Sequence, residues 1–131
     1  MSVTAEAWVP RAKSLELMGR ARVMLAPSLI DGTPNTMFEA MACGAAPIVG
    51  DLPSLAEWVR DGENGFVVPP LDSQALAARL VRLLREPELR RRFAGANVVT
   101  VKEYASHERE MARVEEFYER LCRAYRPDHS L

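Results

Sequence analysis

Three short apolar runs set between helical segments constrain this chain more than any other feature: Val23-Met24-Leu25-Ala26, Ala46-Pro47-Ile48-Val49-Gly50 and Phe66-Val67-Val68. A strand with one face in water alternates polar and apolar residues. An uninterrupted apolar run fits a strand covered on both faces, as in a parallel sheet flanked by helices. Pro27 closes the first run and Pro69-Pro70 the last. Val3 to Val9 alternates more weakly and stops at Pro10, which suggests a further short strand. Pro47 cannot donate to a ladder and is expected at a strand end or sheet edge.

Between the runs the spacing turns helical. Leu15, Leu17 and Met18 mark a helix over residues 12–21, Gly44 stops a helix ahead of the second run, and Ser54 to Arg60 suits a short helix before the turn cluster Asp61-Gly62-Glu63-Asn64-Gly65. From Asp72 onward the pattern is helical throughout. Leu76, Leu80, Leu83 and Leu84 share a face, Pro87 breaks the run, a second helix starts at Glu88 and a last one follows Ser106. In the last helix Met111, Val114, Tyr118, Leu121 and Tyr125, with Phe117 beside them, form an apolar stripe that reads equally as core or as a partner surface. Strand and helix in alternation predict an α/β fold: a partial doubly wound, Rossmann-like parallel sheet of about four strands, with flanking helices and a helical C-terminal region. A chain of 131 residues has room for one such core, so residues 1–131 are read as one domain or part of one.

Charge narrows the partners. With 17 basic and 18 acidic side chains there is no electrostatic case for nucleic acid. Arg79, Arg82, Arg85, Arg90, Arg91 and Arg92 are interleaved with Glu86 and Glu88, which favours a solvated helix face over an anionic membrane or phosphate patch. Cys43 and Cys122 have neither metal-ligand nor disulfide spacing, so no metal is expected and a reducing, cytoplasmic compartment fits. The opening residues lack a basic start and an apolar core, and no run approaches the ~20 apolar residues of a membrane span. The chain is therefore expected to be soluble, or at most peripheral to the inner face of a membrane. His107 and His129 read as surface groups, and Trp8 and Trp58 as core anchors.

The chemistry concentrates in Ser28-Leu29-Ile30-Asp31-Gly32-Thr33-Pro34-Asn35-Thr36-Met37-Phe38-Glu39, which follows the first apolar run and opens a helix. Ligands of doubly wound sheets sit in that place, outside the carboxyl ends of the strands. Thr36 and Glu39 have the spacing of a capping box, and Asp31-Gly32-Thr33-Pro34 that of a turn; both are purely structural readings. The functional reading starts from the helix N-terminus, whose unpaired amides and positive dipole end attract phosphate. Asn35 and Thr36 are the natural donors, since Pro34 has no N–H. Glu39 would repel a phosphate that it faced, but its carboxylate can accept two hydrogen bonds from a vicinal diol such as a ribose. Asp31, across the loop, could hold hydroxyls of a second sugar. Together these demands describe a nucleotide sugar. Asp51, at the end of the second run, is a weaker site candidate; capping the Ser54 helix is its structural alternative.

Pro27 through Gly44, Ala46-Pro47-Ile48-Val49, Pro53-Ser54-Leu55-Ala56-Glu57-Trp58-Val59 and Asp61 through Pro70 resemble glycosyltransferase family 4, in the carboxyl-terminal, donor-binding domain of its GT-B fold. The family hallmark is Glu, seven residues, Glu, within a Gly-rich loop. Asp31 stands here for the first Glu, one methylene shorter, and Gly32-Thr33-Pro34-Asn35 replaces a loop richer in glycine. The resemblance implies retaining, metal-independent hexosyl transfer from a nucleotide sugar, of the kind used in polysaccharide biosynthesis. Asp31 and Glu39 would be the acids of the catalytic site, Asp31 on the donor sugar and Glu39 on the ribose. Gly32, Thr33, Asn35 and Thr36 would line the sugar or diphosphate, and no other cofactor is implied.

The resemblance also implies what lies outside the chain: an amino-terminal acceptor domain, or a partner chain that supplies it, and the Arg and Lys that neutralise the diphosphate. Arg11 and Lys13 do not match those positions. A homo-oligomer is a further expectation, because an unpaired strand edge invites pairing. The isolated chain is expected to have little activity. The competing expectation is a non-catalytic binding or assembly module, or the donor half of a split enzyme.

Overall fold

The computed structural model describes residues 8–124. In chain order the elements are α1 (Arg11–Arg20), β1 (Val23–Ala26), α2 (Asn35–Ala42), β2 (Ala46–Gly50), α3 (Pro53–Ala56), β3 (Phe66–Val68), α4 (Ser73–Arg85), α5 (Pro87–Tyr104) and α6 (His107–Ala124). The strands form one parallel sheet in the order β1-β2-β3, with Leu25 opposite Ile48 and Ile48 opposite Phe66. Consecutive parallel neighbours are what one half of a doubly wound sheet, its fourth to sixth strands, would show. Three strands are thus present among the described residues. The strand expected over Val3 to Val9 falls mostly outside them, and Trp8 and Val9 are in neither helix nor strand.

Pro47 corrects the expectation of a strand end or edge, because β2 is the central strand and all five of its residues are buried. The Ala46 amide donates to Arg22 on the β1 side, so the Pro47 nitrogen faces β3 one residue before that ladder begins at Ile48. No N–H is needed there. Gly65 completes the fit: a Cβ on it would come within 2.6 Å of Val59 Cγ1 and 2.8 Å of both Pro47 Cγ and its carbonyl oxygen.

The sheet is covered on both faces. On one, Ala46, Ile48, Phe66 and Val68 meet Leu83 of α4 and Leu89 and Phe93 of α5. On the other, Val49 meets Met37 and Met41 of α2, Leu55 of α3 and Val59, with Val101 of α5 at the margin. The short helix expected over Ser54 to Arg60 is a single turn at Pro53–Ala56 continued by turns. Asn64 then fixes the turn cluster: it accepts from the Arg60 amide at 2.7 Å and donates to the Trp58 carbonyl at 2.8 Å, while buried Asn97 of α5 donates to the Asn64 carbonyl at 2.8 Å. Trp58 is partly buried, edge-on to Phe38, whereas Trp8 is 80% exposed and anchors no core.

Most of the arginine series has structural partners within the chain. Arg79 pairs with Asp61 and, like Arg82, lies over the Phe66 ring; Arg92 donates to the Gly62 carbonyl, and Arg90 to the carbonyls of Leu83 and Leu84. α6 excludes the core reading of its stripe: Met111, Val114, Phe117, Tyr118 and Leu121 are all exposed, and Tyr125 lies outside the described residues.

Candidate functional site

Because the strands are parallel, β1, β2 and β3 end on the same edge of the sheet, and the loop from Pro27 to Pro34 runs over that edge before α2 begins. The loop is pressed onto the end of β2, where a Cβ at Gly50 would lie 2.5 Å from the Ser28 carbonyl oxygen. Two serines fix its tip. Ser28 Oγ donates to Asp31 Oδ2 at 2.9 Å, and Ser54 Oγ of α3 donates to the Asp31 carbonyl at 2.8 Å. Asp31, Gly32 and Thr33 are exposed on this anchored tip.

Pro34 sets an extended backbone immediately before α2 (φ −76°, ψ 125°), and no side chain caps the helix. The capping box is therefore not formed. α2 starts at Asn35, which makes Thr36 its second helical residue instead of its cap, and Glu39 turns elsewhere. Met37, Ala40 and Met41 bury the inner face of α2. Asn35, Thr36 and Glu39, related by three- and four-residue steps, share the outer face. Among the described residues, the Asn35 and Thr36 amides have no acceptor within the chain. The structure thus brings together two unengaged amides, the helix dipole's positive end and the Glu39 carboxylate, with Asp31 on the adjoining loop.

Glu39 has a partner that the sequence reading set aside. Arg11, the first residue of α1, donates from Nη1 to Glu39 Oε1 at 2.5 Å. A separation of 28 residues leaves no local spacing by which to find this pair. Lys13 instead bonds Glu16 on its own helix at 3.0 Å. That hydrogen bond, followed by the Lys13 charge, holds the Glu16 carboxyl below its ordinary range. Asp51 is exposed and does not cap α3. His107 is exposed, and His129 lies outside the described residues. Cys43 and Cys122 are free and exposed. Among the described residues, no group of three or more His, Cys, Asp or Glu is placed to hold a metal, and no helix is long and apolar enough to cross a membrane.

The motif, its position at the carboxyl ends of parallel strands and the match of a family model decide the lineage. That model, "Glycosyl transferases group 1", matches residues 2–86, which span both loop and sheet. The chain belongs to this glycosyltransferase family. It is 44% identical over 68 residues to a phosphatidyl-myo-inositol mannosyltransferase of Mycobacterium leprae, a match covering 52% of this chain and 18% of that protein. It is 28% identical over 108 residues to O-antigen chain mannosyltransferase B of Escherichia coli, covering 78% of this chain and 28% of the relative. Sucrose-phosphate synthase from Thermosynechococcus elongatus superposes with a TM-score of 0.80 at 28% identity, over 83% of this chain and 27% of that one. The C-terminal domain of a group 1 glycosyl transferase from Francisella tularensis has the same fold (TM-score 0.68, 24% identity, covering 80% of this chain and 53% of that one). The fold is accordingly that of a GT-B glycosyltransferase's carboxyl-terminal domain, and the chain spans about a fifth of the length of the first curated relatives it matches.

Proposed function

We propose that the edge formed by the Pro27 to Pro34 loop and the start of α2 is the donor site of a hexosyltransferase that uses a nucleotide-activated sugar. The observation that carries this reading is the coincidence, on one helix face, of two unengaged amides and a carboxylate one turn further on. Amides at a helix start favour phosphate oxygens. A carboxylate set beside them suits the ribose hydroxyls of the same nucleotide, which donate to it without adding negative charge. In this reading Asn35 and Thr36 take the diphosphate, Glu39 the ribose and Asp31 the transferred sugar, with Gly32 and Thr33 lining the loop between them. The Ser28 and Ser54 bonds hold Asp31 in place before the donor arrives.

The proposed reaction is retaining and metal-independent. Catalysis then rests on orienting donor against acceptor and on stabilising the departing nucleotide diphosphate. The positive end of α2 serves the second task. Arginine and lysine from outside these residues would complete it, and an amino-terminal domain or partner chain would bring the acceptor. The chain alone is expected to turn over little.

Titration of the isotope-labelled chain with UDP- and GDP-sugars at millimolar concentration tests the site. The reading predicts chemical-shift changes concentrated between Asp31 and Glu39, and their absence there with every donor rejects it. A module of purely structural use would also leave the activity of any assembly containing it unaffected by Glu39→Gln.

A further inference from the structure

Nine salt bridges join described residues, and seven of them link positions three or four apart. Arg79–Asp61 and Arg11–Glu39 alone tie distant segments, and only the latter touches the proposed donor site. The two partners are unequally placed: the Glu39 side chain is 22% exposed and that of Arg11 74%. The guanidinium therefore forms the solvent-side rim of the carboxylate, and a ligand reaching Glu39 from water meets both.

We propose that Arg11 is a positioning residue for ribose recognition: it fixes the Glu39 carboxylate and presents its own remaining N–H groups to the same diol. This rests on the donor-site reading above. A carboxylate alone accepts two hydroxyl protons and leaves the acceptor capacity of both hydroxyls unused. Arg11 commits Nη1 to Glu39 Oε1, while Glu39 Oε2 has no partner among the described residues. One ribose hydroxyl can donate to Oε2 while its neighbour accepts from a free guanidinium N–H, a donor set in a rigid fork that lysine lacks. The pair thereby favours two adjacent hydroxyls: removal of the donating one leaves the partly buried Glu39 carboxylate short of a partner, and removal of its neighbour loses the guanidinium contact.

The test compares UDP and GDP with their 2′-deoxy counterparts as ligands of the full chain, by chemical-shift titration of wild type, Arg11→Ala, Arg11→Gln, Arg11→Lys and Glu39→Gln. The expected result is a wild-type preference for the ribonucleotide of roughly tenfold, the scale of one hydrogen bond to a charged group. Arg11→Ala should bring that ratio close to one and weaken ribonucleotide binding more than deoxynucleotide binding. Arg11→Lys should recover part of the ratio, and Arg11→Gln, which keeps the length of the side chain, serves if the alanine variant does not fold. A ribo-to-deoxy ratio unchanged in the Arg11 variants but abolished by Glu39→Gln would overturn the inference and leave the donor site standing. Equal weakening of both nucleotides, or tighter binding on removal of Arg11, would overturn it as well, marking Arg11 as a strap or a lock. No ribonucleotide preference in wild type, or one indifferent to Glu39→Gln, would overturn the inference together with the ribose role of Glu39.

Discussion

α5 and α6 are consecutive helices of 18 residues each, and they are used in opposite ways. α5 buries Leu89, Phe93 and Asn97 and adds to the apolar packing on both faces of the sheet, although its sequence is only weakly two-faced. α6 has the cleaner division into apolar stripe and charged remainder, yet its stripe lies exposed. A stripe therefore records that a face is apolar and not that the same chain covers it. Burial follows from position, since α5 packs beside Phe66 and the turn at Asn64, whereas no described residue of α6 joins either core cluster.

Denaturant unfolding of single variants measures that contrast. Phe93→Ala, which removes the ring packed edge-on to Phe66 at 5.4 Å, should cost about 3–5 kcal/mol, and a smaller loss would mean that α5 is less embedded than its burial indicates. Gly65→Ala should cost about 1–3 kcal/mol, because two of the three atoms its Cβ would meet belong to Pro47 in the central strand. Asn97→Ala should cost about 1–3 kcal/mol by leaving the Asn64 carbonyl without its buried donor. Leu121→Ala in α6 should stay within about 0.5 kcal/mol in the isolated chain, and a cost like that of Phe93→Ala would show that the α6 face is covered in solution. The smallest expected effect is at Glu16, in α1. Its folded-state carboxyl titrates low, so the stability it adds is present above the unfolded pKa and fades as the pH falls through the folded one; Lys13→Ala should return the titration, followed by NMR, to the ordinary range.

Much of the fold was legible because buried parallel strands write themselves as apolar runs. β1, β2 and β3 occupy the three runs that the sequence offers, and α4, α5 and α6 begin within a residue or two of their expected starts. Pro47 misled because the rule against proline in a central strand assumes a ladder on both sides at that residue, which here begins one position later. Trp8 misled because a large apolar side chain at a chain segment's start has no periodic context to show which way it faces.

The site divides in the same manner. Asp31, Asn35, Thr36 and Glu39 were legible as a group, since they lie within nine consecutive residues at a strand-to-helix junction. The capping box was a false expectation, because a one-residue difference in where a helix starts decides whether a threonine caps it. Arg11 does not match the family's basic positions, and its separation of 28 residues from Glu39 leaves no local spacing that would pair them; Ser54 reads from sequence only as part of a short helix.

Sequence by itself determined the strand runs, the starts of the last three helices to within a residue or two and the residue types at the junction, all of which depend on neighbours within a few positions. Tertiary structure alone decided that Pro47 lies at the centre of the sheet, that Ser54 holds the Asp31 loop, that Arg11 meets Glu39 and that the α6 stripe stays uncovered. Those outcomes depend on how elements 18 or more residues apart come together, and local periodicity carries no information about the partner a side chain will find across that distance.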